Sequence, residues 1–285
     1  MAGKKVLVVT DSSASLPQQL VRELDIRVIP LWLIWGDQCY LDGVDIDPPT
    51  FYNRLRSSSS LPTSTQPSSV EFRDLFLELA PECSGIVCVL ASSRISGTVE
   101  SAQAAKELVD LPVEIVDSGF SAMGQGLIAA AAAREAASGA APSAVAQLAE
   151  TVREKTRLLF VVDTLEFLHK GGRIGGAKRL LGTALNIKPI LHFEDGMIQP
   201  LTQARTKRKA LAQLLQQVEL DLAGLPLEEA GIVHVDCLEE GQRLQEMVWE
   251  RFRPARIHIS DVSPVVGTHV GPGALGLAYY SGQAG

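Results

Sequence analysis

The chain has 285 residues, 46% hydrophobic and 21% charged, enough apolar side chains for one large domain or two ordinary ones. Its formal net charge of −7 argues against broad binding to nucleic acid or acidic membranes, because affinity for phosphate requires an excess of Lys and Arg. The N-terminal apolar run is too short for a signal peptide, no stretch approaches the ~20 apolar residues of a membrane helix, and the four cysteines form no Cys-x-x-Cys pair. We therefore expect a cytoplasmic protein with reduced thiols and no membrane insertion.

Short apolar strands alternate with amphipathic helices through the first half of the chain. Strands are predicted at 5–9, 26–35, 85–91 and 113–116, with a bend at Pro30 and a return hairpin at 39–41. Helices are predicted at 16–24, 51–55, 70–80, from 98 to 109, up to about 137, and at 143–155. This alternation predicts a parallel α/β sheet.

The second half is less regular. Strands are predicted at 158–162, 231–236, 257–262 and up to 280, with a hairpin formed by 187–193 and 197–201. Helices are predicted at 164–170, 176–185, 207–222 and 241–252. Because strands and helices no longer alternate strictly, we expect an N-terminal parallel-sheet α/β domain at 1–155 and a C-terminal α+β domain at 156–285, with the boundary near Lys155.

The stretch 61–68 carries four hydroxyl side chains and two prolines. One interpretation is a turn leading into a helix, in which Ser68 and Glu71 form a capping box while Ser64 and Thr65 make local hydrogen bonds. The other is a clamp of O–H and N–H donors for a ligand oxygen. The local pattern favours the turn, and other parts of the chain must decide.

Three predicted strands of the first half end in small polar loops. The residues concerned are Asp11 and Ser12, Ser96 and Gly97, and Asp117 and Ser118. Ligands of open parallel sheets bind at the carboxyl ends of strands, where helix N-termini favour anions. Helix capping alone explains any one loop. Together with the hydroxyl stretch, the three loops make a small anionic ligand an equal alternative.

Two glycine-rich stretches are similar to nucleotide-binding motifs in sequence but lack other residues or elements that these motifs require. Residues 271–276 fit the dinucleotide fingerprint, but only nine residues follow, too few for the helix, strand and acidic residue that it requires. Residues 171–178 resemble a phosphate-binding loop, but Ala177 replaces its lysine. We predict no nucleotide site from either.

The histidines show no metal-ligand spacing, so we expect no metal site. Ser96, Asp117 and His269 could be combined into a hydrolase triad, although the chain has no Gly-x-Ser-x-Gly elbow. Glycines surround His269, which fits either a wall close to a ligand or a tight structural turn.

Basic residues are concentrated in two places, which stand out in an acidic chain. The first group is Lys170, Arg173, Lys178 and Arg179, and the second is Arg205, Lys207, Arg208 and Lys209. A solvated helix face explains the second group. If the two groups converge, they could bind a phosphate-bearing or acidic partner.

Several of these pieces, in this order, resemble the DegV family, the fatty-acid-binding proteins that serve bacterial fatty acid kinase. The resemblance runs from Lys5 to Tyr280, and its matching pieces are 9–12, 62–68, 92–98, 116–118, 170–174, 185–190, Arg205 and 267–276. It implies two α/β domains that enclose a long acyl chain between them, and it implies no cofactor.

The resemblance also assigns roles to residues. The fatty acid carboxylate is expected at Ser64, Thr65, Ser96, the Gly97 N–H and His269, with Asp11, Ser12, Asp117 and Ser118 in supporting loops and Arg173 and Arg205 on the surface that meets an ATP-binding kinase subunit. The family usually has Thr-Ser where this chain has Ser64 and Thr65, so the partner of each carboxylate oxygen is open. The chain would present its acid for acyl phosphate formation without being an enzyme by itself. The alternatives are a Ser/His acyl hydrolase that uses Ser96 and His269, and a binding module for a polar triose- or sugar-type molecule.

Overall fold

The computed structural model describes residues 5–58, 60–182 and 187–282, which form three sheets with helices packed on them. The strands are β1 Lys5–Asp11, β2 Arg27–Ile29, β3 Trp32–Trp35, β4 Gln38–Leu41, β5 Thr63–Thr65, β6 Cys83–Leu90, β7 Val113–Asp117, β8 Arg157–Val161, β9 Lys188–Glu194, β10 Met197–Ala204, β11 Leu227–His234, β12 Arg256–Asp261 and β13 Leu275–Ser281. The helices are α1 Gln18–Glu23, α2 Pro48–Ser57, α3 Ser69–Leu79, α4 Thr98–Lys106, α5 Ala122–Ala137, α6 Pro142–Lys155, α7 Glu166–Lys170, α8 Lys207–Leu222, α9 Leu238–Phe252 and α10 Pro264–Val270. Two 3-10 helices cover Ser12–Ala14 and Gly175–Leu180.

The first sheet has the strand order β2-β1-β6-β7, and all its neighbouring strands are parallel. Seven of the eight residues of β6 are buried, as expected of a strand covered on both faces by helices. The sheet confirms the parallel α/β prediction for the first half of the chain.

The second sheet has the order β10-β9-β8-β13-β11-β12. Only β11 and β12 pair in parallel, and the other four pairs are antiparallel. The mixed sheet confirms a different fold class for the second half. The position of the domain boundary at 155 stays a prediction.

Helix α5 lies between the two sheets and contacts β1 and β6 on one side and β11 and β13 on the other. Thirteen of its sixteen residues are buried, mostly alanines whose small side chains allow close packing. A single core cluster therefore contains side chains from both sheets, among them Val8 and Val89 from the first and Phe160 and Val233 from the second.

The third sheet is small and antiparallel, with the order β4-β3-β5. Pro30 separates β2 from β3, as the predicted bend requires. The hydroxyl stretch, for which the local pattern favoured a turn, contains strand β5. The turn interpretation was wrong for residues 63–65 because this strand depends on pairing with β3, where Leu33 is opposite Ser64.

Two further predictions are corrected. The glycine-rich region around His269 contains helix α10, whose first turn has Pro264 and is capped by Ser263, which accepts from the Val266 N–H at 3.5 Å. The helix predicted at 176–185 is a 3-10 helix that ends at Leu180, and residues 183–186 lie outside the described part of the chain. Across the described residues, no helix is both long and apolar enough to cross a membrane.

Candidate functional site

An apolar cavity lies among α5, α10, the small sheet and one face of the second sheet. Its walls include Leu158, Phe160, Leu168, Phe193, Val233 and Val266. The space open to the centre of a water-sized sphere is about 100 Å³. One water needs roughly 10–15 Å³ by this measure, so the cavity is large enough for an organic ligand.

Polar side chains line the same cavity, and contacts link several of them, or the residues next to them. They are Ser13, Ser64, Thr65, Gln66, Ser96, Ser121, Arg173 and His269. Ser64 bonds to His269, Gln66 lies against Gly97, and Arg173 donates to the carbonyl of Ile95, next to Ser96. The cavity therefore has a polar end, where the hydroxyl stretch, the 92–98 loop and the end of α10 meet.

His269 and Ser64 form the best-defined contact of this end. Ser64 is the middle residue of β5, His269 lies in the last turn of α10, and Oγ and Nε2 are 2.8 Å apart. Burial, with a smaller contribution from the positive charge of Arg173, lowers the pKa of His269 to about 4. The imidazole is therefore neutral at pH 7.

The other ring nitrogen of His269 faces the protein. Nδ1 is buried and has no hydrogen-bond partner among the described residues. A Cβ on Gly171 would lie 2.2 Å from Nδ1, so only glycine at this position lets the ring pack against the end of α7. Sequence reasoning placed His269 at the ligand but gave no role to Gly171.

Ser96 and Gly97 form the turn that begins α4. The Ser96 hydroxyl is 2.8 Å from the Thr98 hydroxyl and accepts from the Thr98 N–H at 3.4 Å. Ser96 also lines the cavity. Gly97 is the N-cap of α4, and a Cβ there would lie 2.8 Å from the Gln66 side-chain nitrogen. The helix N-terminus is therefore covered by the hydroxyl stretch.

Thr65 follows Ser64 on β5, and successive side chains of a strand point to opposite faces. Thr65 is exposed but is among the lining residues, whereas Ser64 is half-buried. The two neighbouring hydroxyls are thus not equivalent, and Ser64 is the one that bonds to His269.

Asp11 and Ser12 make their contacts with other loops of the protein. Asp11 is fully buried, and its carboxylate accepts from the Ser13 N–H at 3.0 Å, the Ala91 N–H at 2.8 Å and the Gln125 amide at 2.9 Å. Burial raises the pKa of Asp11, although these hydrogen bonds oppose the change. The Ser12 hydroxyl donates to Asp42 at 2.6 Å. The bonds of Asp11 join the ends of β1 and β6 to α5, and the bond of Ser12 joins the end of β1 to the loop that contains Asp42.

Asp117 and Ser118 fix the loops after β6 and β7. Asp117 accepts from the Gly119 N–H at 2.9 Å and from the Ser93 N–H at 3.3 Å. The Ser118 hydroxyl accepts from the Phe120 N–H at 3.1 Å. Within the described chain, neither side chain is among those that line the cavity.

Arg173 and Arg205 lie in different surroundings. Arg173 is half-buried, lines the cavity, and donates to the carbonyls of Ile95 at 3.2 Å and Gly171 at 2.9 Å. Arg205 is exposed beside a separate surface cleft that includes Lys188. Its guanidinium has no hydrogen bond or ion pair to any described residue.

The imagined triad of Ser96, Asp117 and His269 is not assembled. His269 bonds to Ser64, while the Asp117 carboxylate accepts from the backbone N–H groups of Gly119 and Ser93. In the described ranges, no group of His, Cys, Asp and Glu could hold a metal ion.

The glycines around His269 let backbone pack against protein side chains. A Cβ on Gly267 would lie 2.2 Å from the Tyr52 hydroxyl, and one on Gly271, where φ is 76°, would lie 2.3 Å from the Phe167 ring. Tight structural packing, rather than a wall against a ligand, therefore explains these two glycines.

Ala122 is a lining residue that sequence reasoning missed. Its φ of 50° lies in the left-handed region, which costs a non-glycine residue roughly 1–2 kcal/mol. Strain of this kind concentrates at functional sites. An alanine in an alanine-rich helix gives no signal in the sequence, whereas Gln66 could have been found as part of the hydroxyl stretch.

Comparison with known proteins gives matches along nearly the whole chain. Residues 5–282 match the family described as "Uncharacterised protein, DegV family". A DegV domain-containing protein of Halalkalibacterium halodurans is 36% identical, covering 97% of this chain and 98% of that protein. A DegV family protein of Thermus thermophilus, solved for its fatty acid binding, is 30% identical with a TM-score of 0.90, covering 97% of this chain and 99% of that one. The fatty-acid-binding protein DegV of Bacillus subtilis is 32% identical with a TM-score of 0.89, covering 98% and 100%.

Proposed function

This chain belongs to the DegV family, and we propose that it binds one long-chain fatty acid in the cavity described above. The observation that carries the proposal is an apolar cavity with hydroxyl, imidazole and guanidinium groups gathered at one end. Solved relatives at 30% and 32% identity, named for fatty acid binding, support it. Burial of the alkyl chain would supply the affinity, at about 0.8 kcal/mol per CH₂ group.

The carboxylate would lie at the polar end, where its desolvation must be offset by donors. A neutral imidazole has one N–H, and a buried N–H without a partner is rarer in proteins than a buried acceptor without one. We therefore assign the proton to Nε2 of His269, which donates to Ser64 Oγ. The Ser64 hydroxyl is then free to donate to the fatty acid, so His269 acts through Ser64.

Ser96, Gly97 and Thr65 would complete the donor set, and Arg173 would supply positive charge. To donate a hydrogen bond to the carboxylate, the Ser96 hydroxyl must rotate away from the Thr98 hydroxyl, which is 2.8 Å from it. The Gly97 N–H lies at the start of α4, where a helix dipole favours an anion. Arg173 lines the cavity and carries the charge that the ligand carboxylate needs nearby.

We also propose that the carboxylate is presented to a separate ATP-binding kinase subunit for acyl phosphate formation, as the family resemblance implies. Arg205, exposed beside its own cleft, would contact that subunit directly. Arg173 is held by carbonyls of two loops, so a partner that contacts it would also contact the polar end of the cavity. On this proposal the chain delivers its substrate and does not catalyse phosphoryl transfer alone.

The direct test is to denature the purified protein, extract it with organic solvent and identify bound lipid by mass spectrometry. We expect a long-chain fatty acid, and we expect the delipidated protein to rebind one in titration. An empty extract combined with no rebinding refutes the proposal, and it would favour a polar ligand instead.

Matched variants test the carboxylate contacts. Ser64→Ala should weaken fatty acid binding by about 1–3 kcal/mol, the range for a lost hydrogen bond to a charged group. Thr63→Val is its control, because Thr63 is exposed on the same strand and is not among the residues that line the cavity. Ser96→Ala is compared in the same way with Ser93→Ala, an exposed serine of the same loop. Equal affinities within each pair would remove that serine from the site.

The hydrolase alternative now rests on Ser64 rather than Ser96, because Ser64 is hydrogen-bonded to a neutral histidine. A working nucleophile also needs a group that orients the base, and Nδ1 of His269 has no such partner among the described residues. We therefore expect no covalent labelling of Ser64 by a fluorophosphonate probe. Labelling in the wild type that is lost in His269→Ala would establish the hydrolase instead.

A further inference from the structure

Helix α10 runs along the cavity, and its two ends lie at different parts of it. His269 at its C-terminal end lies at the polar end, and Val265 and Val266 line the cavity towards its N-terminal end. Val262, which also lines the cavity, precedes the helix, and its N–H donates to the backbone carbonyl of His234 in β11 at 2.9 Å. The part of the cavity lined by the N-terminal half of α10 therefore lies near β11, and we call this part the apolar end.

Strand β11 forms the floor at that end. Val233 lines the cavity, and Gly231 lies on the same face because side chains two residues apart on a strand point the same way. Gly231 has no side chain of its own. The space over it is filled from α5.

Met123 of α5 occupies that space. A Cβ on Gly231 would lie 2.5 Å from Met123 Cε and 3.0 Å from Met123 Cβ, so the methionine lies directly on the glycine. Met123 is fully buried, and its neighbours Ala122 in sequence and Val233 on the floor both line the cavity. Met123 is not itself a lining residue, so its side chain lies behind the wall that Ala122 and Val233 form.

Beyond Met123 the same face of the sheet becomes polar. Glu229, two residues before Gly231, is fully buried and bonds to Arg134, His258 and Tyr280 at 2.6–2.8 Å. An alkyl chain that reached these groups would interrupt a satisfied polar network, which is costly in a buried site. In the direction of Glu229, the volume that Met123 occupies is therefore the space into which the cavity can be deepened.

We propose that Met123 is the specificity-determining residue that limits the length of the bound acyl chain, an assignment that rests on the proposed function. Its thioether packs on Gly231 and supports the cavity wall from behind. Methionine is unbranched and fills irregular gaps, so its three side-chain atoms beyond Cβ define how far the terminal methyl group of the ligand can go.

The experiment loads delipidated protein with an equimolar mixture of saturated even-numbered fatty acids from laurate to arachidate and measures the bound distribution by mass spectrometry. For Met123→Ala we expect a shift of the preferred chain by about two carbons towards longer acids, since the removed atoms leave that much space. For Gly231→Ala we expect the opposite shift, because the added methyl group pushes Met123 Cε into the cavity.

Leu277→Ala is the control for loss of packing alone. Leu277 is fully buried on the other face of the sheet, where it belongs to a separate core cluster, so its variant should keep the wild-type distribution. Unchanged distributions in both Met123→Ala and Gly231→Ala, or an equal shift in Leu277→Ala, overturn the assignment. A wild-type protein that binds none of the acids overturns the proposed function itself, which is a different result from an unchanged preference.

Discussion

The buried carboxylate of Glu229 allows a stability measurement with a magnitude worked from the structure. Arg134 of α5 binds it through both terminal nitrogens, at 2.6 and 2.7 Å, and His258 and Tyr280 each add a contact of 2.8 Å. Burial alone would raise the pKa of Glu229, but the hydrogen bonds from His258 and Arg134 and the charge of Arg134 outweigh it and hold the pKa at about 2. The perturbation is Glu229→Gln.

Each pKa unit between the ordinary value of 4.5 and the folded value of about 2 corresponds to about 1.4 kcal/mol, so ionised Glu229 contributes about 3 kcal/mol to the free energy of unfolding. Because the folded pKa is the lower one, this contribution is fully present above pH 4.5 and is lost as the pH falls through about 2. We therefore expect Glu229→Gln to be less stable than wild type by about 3 kcal/mol at pH 7 and nearly equal to it near pH 2.

The assay is urea unfolding of both proteins at several pH values, followed by the difference between their free energies of unfolding. Taking the difference removes the titration of the other carboxyl groups. Glu228→Gln serves as control, because Glu228 pairs with Arg256 near the surface and such pairs contribute at most about 1 kcal/mol. A Glu229→Gln difference that does not change between pH 7 and pH 2, or that equals the Glu228→Gln difference, would refute the reasoning.

Three further outcomes follow from the site. Gly171→Ala should lower fatty acid affinity at least about tenfold in a fluorescent fatty acid displacement assay, because the new Cβ at 2.2 Å displaces the His269 ring; unchanged affinity would show that the ring position does not matter. The imidazole of His269 should stay neutral down to about pH 5 when it is followed by NMR, because its folded pKa of about 4 is below the ordinary value of 6.5. For the same reason, His269 should contribute to a loss of stability as the pH falls from 6.5 towards 4. An imidazole resonance that titrates near pH 6.5 would contradict both expectations. Asp11→Asn should lower the free energy of unfolding by about 1–3 kcal/mol, because an amide nitrogen would face the Ser13 or Ala91 N–H donors; thermal unfolding equal to wild type would contradict that expectation.

The local features of the fold could be predicted from the sequence. The alternation of apolar strands and amphipathic helices predicted the parallel sheet correctly, since each element depends on its own periodicity. The capping box of Ser68 and Glu71 is present because both partners lie within one turn of α3. Such features need no knowledge of distant residues.

The features that the sequence did not predict depend on distant partners. Strand β5 exists through pairing with β3, and the bond between Ser64 and His269 joins residues 205 positions apart. Helix α10 contains Gly267, which weakens a helix locally, but the tertiary contact with Tyr52 needs a residue without a Cβ there. The family resemblance named Ser64 and His269 as site residues, whereas their mutual contact and the part played by Gly171 required coordinates.

Helix α5 has a consequence for the order in which the protein folds during synthesis. Its thirteen buried residues need both sheets, yet β8 to β13 are translated only after the helix has been made. Until then, the side of α5 that will contact β11 and β13 is uncovered apolar surface on a nascent chain whose first sheet can already form. An N-terminal fragment that ends near α6 should therefore expose this surface and aggregate or bind chaperones, because the surface is covered only after β11 and β13 have been made.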